Sequence, residues 1–524
     1  MPAFLTLDHL SLATPSGRVL FSDLSFTLGP DRVGVVGRNG SGKSSLLRAI
    51  LGEQRPLSGT ISLAGTVGIL RQSVDPGPGT ATDMLGIAEA LARLDRIEEG
   101  TGSAADLDQA DWTLPQRLDE ALAAASMSSC DLTRPLASFS GGERTRIAIA
   151  GLLLDPPDVL LLDEPTNNLD REGRAAVAAL LADWRGGALV VSHDRALLDT
   201  MDRIVALSPT GTTFHSGGWS SWVVERDAAR TRAASELDRT DRQARSAQRA
   251  AQTARERQAR RDRAGRSYAA SGSAPKILMG RQRERAENSA GRGQTLAEQR
   301  SAALAASQDM ARARVEVVTP ISMEIPPSGL SSHRQVLSFE DVRWNAGERA
   351  IIDRLSFDLH GPERVAITGR NGAGKSTILR LAAGLAEPNS GRIERFVPLA
   401  MLDQDVALLD RETTLLENMR RLNPLLDENR AHAALARFAF RNSGADKRVG
   451  DLSGGECLRA GLACVLSADP VPQLLMLDEP TNHMDLEAVE VIEQALAGYD
   501  GALLVVSHDN AFLDAIGVSR HIAL

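Results

Sequence analysis

Over residues 1–30 apolar and polar side chains alternate, which predicts antiparallel strands with one face in a core. The pattern then changes. Short, nearly unbroken apolar runs appear at Arg32-Val33-Gly34-Val35-Val36, Thr66 to Leu70, Val159 to Leu162 and Ala188 to Val191. Runs of this length without alternation predict strands buried on both faces, as in a parallel sheet. Ser45 to Ile50 reads as a helix that Gly52 ends. Ala- and Leu-rich helical stretches fill later gaps. The series then returns at Arg364 to Thr368, Leu399 to Asp403, Leu474 to Leu477 and Leu503 to Val506. Strands interleaved with helices predict an α/β fold. The recurrence predicts a duplicated domain.

Between the halves the period changes again. Ala229, Ala233, Leu237, Thr240, Ala244, Ala247, Ala251 and Ala254 follow a 4-4-3-4-3-4-3 spacing, the seam of a coiled coil made mostly of small residues. Leu296, Ala303, Met310 and Val317 recur every seven residues. Ser267 to Pro275 is a turn-rich break between them. The expectation is two antiparallel helices, about 219–265 and 276–316, with Gly280 and Gly291-Arg292-Gly293 loosening the second. The first would extend about 70 Å.

Chemistry sits where the apolar runs end. Gly37-Arg38-Asn39-Gly40-Ser41-Gly42-Lys43-Ser44, followed by Ser45, fits the phosphate-loop pattern G-x-x-x-x-G-K-[ST]. Gly369-Arg370-Asn371-Gly372-Ala373-Gly374-Lys375-Ser376, followed by Thr377, repeats it 332 residues on. Glycines let the backbone turn its N–H groups toward phosphate oxygens, and the helix start adds its positive end. Lys43 and Lys375 would neutralise β- and γ-phosphates, and Ser44 and Ser376 would hold Mg²⁺. Gln72 and Gln404 close strands at the same offset, suited to Mg²⁺ or the attacking water. Ser140-Gly141-Gly142-Glu143 and Ser453-Gly454-Gly455-Glu456 open helices with bare N–H groups for an anion. Asp163-Glu164 and Asp478-Glu479 end the central apolar runs. Each Asp would hold Mg²⁺, and each Glu would orient or deprotonate water. His193 and His508 end later strands at the acids' own offset of 315 residues, placed for a γ-phosphate or the water.

Charge adds a partner. The chain of 524 residues carries a net −9, yet 217–320 holds 21 Lys and Arg against 12 Asp and Glu. A basic segment between acidic domains suits a polyanion. Arg242, Arg245, Arg249, Arg255, Arg257, Arg260, Arg261, Arg263 and Arg266 offer fork-shaped donors for RNA phosphates. Cys130, Cys457 and Cys464 form no C-x-x-C pair, so reduced thiols are expected rather than disulfides or zinc. No apolar run approaches the ~18–20 residues that span a bilayer. Met1-Pro2-Ala3-Phe4 lacks the marks of a secretory signal.

Phosphate loop, Gln, Ser-Gly-Gly-Glu, Asp-Glu and strand-end His, in this order and twice, resemble the ATP-binding cassette superfamily. The resemblance implies two cassettes, 1–217 and 335–524, joined by a basic α-helical hairpin linker, 218–334. It implies two ATP sites, each composite: Lys43 facing Ser453-Gly454-Gly455, and Lys375 facing Ser140-Gly141-Gly142. Superfamily members often stack adenine on an aromatic about 25 residues before the phosphate loop. Trp344 stands there in the second half; Leu12 holds the matching position in the first and is read as core. Paired cassettes on one chain, the absence of a membrane segment and the long linker are similar to the ABC-F family, which acts on ribosomes. Phe214-His215-Ser216-Gly217-Gly218-Trp219-Ser220-Ser221-Trp222 resembles that family's linker entry, where most members have Tyr. About 19 extra residues within about 75–125 sit where the family places its arm.

The reading is therefore a cytoplasmic, monomeric ATPase with ATP and Mg²⁺ as cofactors. Its ATP-closed form binds the ribosome, with rRNA and tRNA near the linker tip, and acts on translation or protects against an antibiotic. The alternative is the ATP-hydrolysing subunit of a transporter with a separate membrane permease; a DNA-maintenance ATPase would show zinc-binding cysteines or far longer coiled coils. Replacing Lys43 and Lys375 together by Ala is expected to abolish phosphate release from ATP. Retained turnover would mean that the phosphate loops lie elsewhere.

Overall fold

The structure, a computed structural model, describes residues 3–72, 77–127, 130–167, 169–208, 211–270, 325–347, 349–482 and 484–524. Contacts divide the chain into two units, Met1–Ser220 with Ile321–Leu524, and Ser221–Pro320. Both cassettes thus belong to the first unit.

The first cassette is built on a sheet whose strands run, side by side, Val67–Leu70, Val159–Asp163, Gly187–Val191, Arg32–Gly37, Arg203–Ser208 and Gly211–Ser216. The first five are parallel, and Gly211–Ser216 returns antiparallel. The second cassette repeats the order with Leu399–Leu402, Leu474–Asp478, Ala502–Val506, Arg364–Thr368 and Arg520–Ala523, all parallel. The apolar runs are buried as their lack of alternation requires. Leu160, Leu161, Val190, Leu475, Met476 and Val505 are all fully buried. The phosphate-loop strand, the Asp-Glu strand and the histidine strand are neighbours, so their carboxyl ends share one edge.

The alternating N-terminal segment forms a second, antiparallel sheet in which Leu5–Ala13 pairs with Val19–Leu28 and with Ser58–Leu63. Leu5, Leu7, Leu10 and Leu12 are buried in its inner face. Leu5 with Leu7 and Leu10 with Leu12 keep the period of two, and the step between the pairs is three because the register shifts between Leu7 and Leu10. His9 takes a φ of 48° there, a bulge that restores the inward face. Asp341, at φ 46°, repeats the bulge in Gln335–Ala346.

The helices after the phosphate loops are Lys43–Ile50 and Lys375–Ala383. The first begins two residues before the expected Ser45. Gly42, at φ 102°, turns the chain directly into the helix, so the lysine itself occupies the first turn. Between the sheet and the Ser-Gly-Gly-Glu helix the cassettes differ. Thr80 and Thr414 each cap a helix by a capping box, and each bridges back, to Pro135 and Arg448 respectively. Leu114–Ala124 and Glu428–Arg437 each pack on the following helix. The first cassette adds Ala88–Glu98 and Ala104–Asp108, tied by Arg96 donating to Asp106 at 2.7 Å.

Trp219–Ala270, which lies in the second unit from Ser221 on, is a single helix of 52 residues, about 78 Å long. It runs past the expected end at 265 and through Ser267 to Ala270, where the sequence had suggested a break. Tyr268, Ala269 and Ala270 tolerate the helix, and no Gly or Pro follows Gly265 until Gly272. Ala233, Leu237, Ala244 and Ala247 are half-buried and Thr240 buried, whereas Ala229 is exposed, so the seam starts one step later than its spacing suggests. The expected second helix, with its glycines and its seven-residue repeat, lies outside the described residues. Cys457 and Cys464 are buried and Cys130 half-buried, all as free thiols. Among the described residues no helix is long and apolar enough to cross a membrane.

Leu161 fills the centre of the first parallel sheet. Leu161→Ala should lower the stability of that cassette by about 2–5 kcal/mol in a urea titration. A loss under about 0.5 kcal/mol would mean that the strand is not buried as described.

Candidate functional site

Each phosphate loop ends at a helix start that no side chain caps. Ser41 Oγ is buried without a hydrogen-bond partner among the described residues. First-turn N–H groups and an orphaned hydroxyl are what a phosphate would satisfy. Gly37, at φ 155°, shows why the loop needs glycine: a Cβ there would sit 2.5 Å from Leu207 O. Lys43 and Lys375 curl back over their own loops. Lys43 Nζ donates to Gly37 O at 2.6 Å and Arg38 O at 3.3 Å. Lys375 Nζ donates to Gly369 O at 2.9 Å and Arg370 O at 3.1 Å. Burial lowers the pKa of both lysines, against the pull of nearby carboxylates.

A cleft of about 810 Å³ opens over the first loop, and Lys43, Ser44, Gln72, Asp163, Glu164 and His193 line it. A cleft of about 510 Å³ over the second is lined by Lys375, Ser376, Gln404, Glu479, His508 and Trp344. The lysine, hydroxyl, Gln, Glu and His expected at each loop are thus gathered, as is Asp163, whereas Asp478 does not line the second cleft. Ser44 Oγ donates to Asp163 Oδ1 at 3.2 Å. Asp478 is 8% exposed and its Oδ1 has no hydrogen-bond partner among the described residues. An orphaned buried carboxylate oxygen beside a serine hydroxyl fits Mg²⁺, directly or through water. Among the described residues no three His, Cys, Asp or Glu gather as a metal-binding group. A Mg²⁺ here would take its remaining ligands from water and phosphate.

Glu164 and Glu479 follow the strand-end acids at φ 50° and 45°, in the left-handed region that costs a residue with a Cβ about 1–3 kcal/mol. Neighbouring strands pin them: Glu164 N–H donates to Val191 O at 2.8 Å and Glu479 N–H to Val506 O at 2.9 Å. Each carboxyl faces its strand-end imidazole. Glu164 Oε1 lies 3.1 Å from His193 Nε2, and Glu479 Oε1 lies 3.4 Å from His508 Nε2. Burial pushes the Glu164 carboxyl up to about 8 and that of Glu479 to about 7, despite the opposing lysines. Burial also holds both histidines down, His193 well below its ordinary value and His508 to about 4. Each pair therefore keeps its proton on the carboxyl, with a neutral imidazole beside it.

The cassettes meet through residues to which the sequence assigned other work or none. Arg38 Nε donates to Glu487 Oε2 at 2.6 Å, and Arg370 Nη2 to Glu172 Oε2 at 3.1 Å. These arginines, expected to bind nucleotide, reach into the opposite cassette and line neither cleft, because the loop's curl points them away from its N–H groups. Asp170 and Asp485 cap their own helices with Oδ1 and accept, with Oδ2, the backbone N–H of Asn371 at 3.5 Å and Asn39 at 2.9 Å. Arg195 adds a bidentate pair to Glu493, at 2.8 and 3.1 Å, both side chains largely buried. Ser140 and Ser453 cap their helices through boxes with Glu143 and Glu456. Ser140-Gly141-Gly142 and Ser453-Gly454-Gly455 are not brought into either cleft.

Leu12 is fully buried, as its reading as core requires, while Trp344 lines the second cleft. The first cleft is bordered instead by Thr14, Arg18 and Gln54. Arg18 Nη2 donates to Gly40 O at 3.3 Å. Sequence reasoning missed Arg18, Arg174, Asp170 and Asp485. The repeated Pro-Thr-Asn run ending in Asp was the available signal for the two acids; nothing local marks the arginines.

The family described as ABC transporter matches residues 21–167 and 352–482. The chain is 31% identical to the energy-dependent translational throttle protein EttA of Escherichia coli (strain K12), over 98% of this chain and 90% of that protein. It is also 31% identical to the tylosin resistance ATP-binding protein TlrC of Streptomyces fradiae, over 94% and 92%. Among solved structures it resembles archaeal ribosome recycling factor aABCE1, crystallised with the ribosomal stalk protein aP1, with a TM-score of 0.61 at 18% identity over 98% of this chain and 87% of that one. RNase-L Inhibitor gives 0.60 at 19% over 99% and 87%. These two likenesses bear on the fold alone.

A water-activating Glu must be unprotonated, and these two carboxyls are raised by burial. kcat/KM for ATP should therefore rise between about pH 6 and about pH 9, as the free protein loses those protons. Initial rates against pH check this. A profile flat across that range would show that neither carboxyl limits the rate.

Proposed function

Since the chain belongs to the ABC-F family of ATP-binding cassette proteins, we propose that it is an ATPase that binds the ribosome with ATP held between its cassettes and leaves after hydrolysis. Each phosphate loop holds the β- and γ-phosphates on its N–H groups and its lysine. Ser44, Gln72 and Asp163, and Ser376, Gln404 and Asp478, hold Mg²⁺, which supplies positive charge to the leaving phosphate oxygens. Glu164 and Glu479, once unprotonated, orient the attacking water and take its proton. His193 and His508, neutral, hydrogen-bond the γ-phosphate or that water. As the cassettes close on ATP, Ser140-Gly141-Gly142 and Ser453-Gly454-Gly455 complete the opposite sites. Trp344 stacks the second adenine.

One observation carries the ribosomal half: the arginine face of the helix Trp219–Ala270. Arg242, Arg245, Arg249, Arg257, Arg260 and Arg263 are exposed along it. Asp238 pairs with Arg242, but the arginines outnumber such partners. Fork-shaped donors on a long helix suit phosphates of folded RNA, read by backbone and shape. The partner is rRNA and tRNA near the linker tip, and the protein works as a monomer in the cytoplasm. The relatives' names, a translational throttle and a tylosin resistance protein, suggest two outcomes: control of translation, or protection of the ribosome from an antibiotic.

The test traps the ATP-bound form. A Glu164→Gln/Glu479→Gln double variant should co-sediment with ribosomes when ATP is present, at low salt, and not without it. No ATP-dependent movement into the ribosome fraction would refute the ribosomal reading, whether or not the protein hydrolyses ATP.

A further inference from the structure

Arg174 belongs to the helix Arg171–Asp183 of the first cassette, four residues after Asp170. It also lines the second cleft, with Lys375, Glu479 and His508. Leu169 of the first cassette accompanies it. Two of its donors are engaged. Nε donates to Leu169 O at 3.3 Å, and Nη1 to Asp194 Oδ2 at 3.0 Å. The side chain is partly exposed, 23%. Its charge is among those that hold down the pKa of Glu479 and of His508.

The first cleft has no counterpart. Counted from the capping Asp485, the matching residue is Val489, which is 4% exposed and packed in the core. Among the described residues, all that line the first cleft come from its own cassette. Among the described residues, the second cleft is therefore the one that takes a cation from across the interface.

We propose that Arg174 contacts the terminal phosphate of the nucleotide in the second site, from the opposite cassette, and that this makes the second site the more discriminating for a triphosphate. With Nε and Nη1 engaged, Nη2 can donate to a phosphate oxygen while the guanidinium keeps its charge. Asp194 and Leu169 hold the group by Nη1 and Nε and so orient it. A γ-phosphate is the part of the ligand nearest Lys375 and Glu479, so a diphosphate would leave Arg174 on Asp194. The inference rests on the nucleotide-site reading above.

Binding separates the two. In a Lys43→Ala chain, which leaves only the second site to fill, calorimetry would compare AMP-PNP with ADP, both with Mg²⁺. Adding Arg174→Met, which keeps the stem and removes the charge, should weaken AMP-PNP about tenfold and ADP less than about twofold. Arg174→Lys should fall between Met and the parent for AMP-PNP. Equal weakening of both ligands would make Arg174 a structural residue and overturn the proposal, as would no weakening of either. A parent that binds neither ligand would refute the nucleotide-site reading itself.

Discussion

Glu164 and Glu479 sit in a backbone region that residues with a Cβ avoid, in a place where a carboxylate loses most of its hydration. The same neighbours hold each glutamate in place. The strand ending at the histidine accepts the glutamate's N–H, and that histidine, kept neutral by burial, receives the carboxyl. The parallel sheet places these groups side by side because adjacent strands end on one edge. Lys43 and Lys375 complete the arrangement from the first turn of the helix after the neighbouring phosphate-loop strand. Strand order, loop curl and the depressed lysine and histidine pKa values all serve to hold one raised carboxyl per site.

The interface between cassettes uses a related economy. Asp170 and Asp485 each cap a helix and also accept an N–H from the opposite phosphate loop. The loop's conformation and the partner's position are therefore coupled through single carboxylates. Arg38 with Glu487 and Arg370 with Glu172 repeat the contact in both directions. Two features break the symmetry. Arg195 with Glu493 and Arg174 with Asp194 have no equivalents in the other half, where Asn510, Ala178 and Val489 stand. Arg174 thereby joins the second cleft to the residue after His193 of the first, a direct covalent and ionic path between the sites.

Much of this was legible in the sequence, for a local reason. Phosphate loops, strand-end acids and strand-end histidines follow apolar runs whose burial is set by their composition, and each run ends where the sheet ends. Their equal offsets in the two halves singled out Gln72, Gln404, His193 and His508, which line the two clefts. Leu12 could be separated from Trp344 because one substitution changes what the position can do. The helix start at Lys43 was misplaced by two residues because glycine can enter the left-handed region and the sequence alone does not say that it does.

Only the tertiary structure decided what crosses from one cassette to the other. Arg38 and Arg370 read as phosphate-loop residues, and nothing in their neighbours says that they turn outward. Arg174 reads as an ordinary helix residue; its place at the second cleft follows from how one domain's helix meets another's loop, hundreds of residues away. The amino-acid order fixes which groups are available and which edge of a sheet they occupy. Long-range packing, in which each contact depends on two surfaces at once, decides which of them meet.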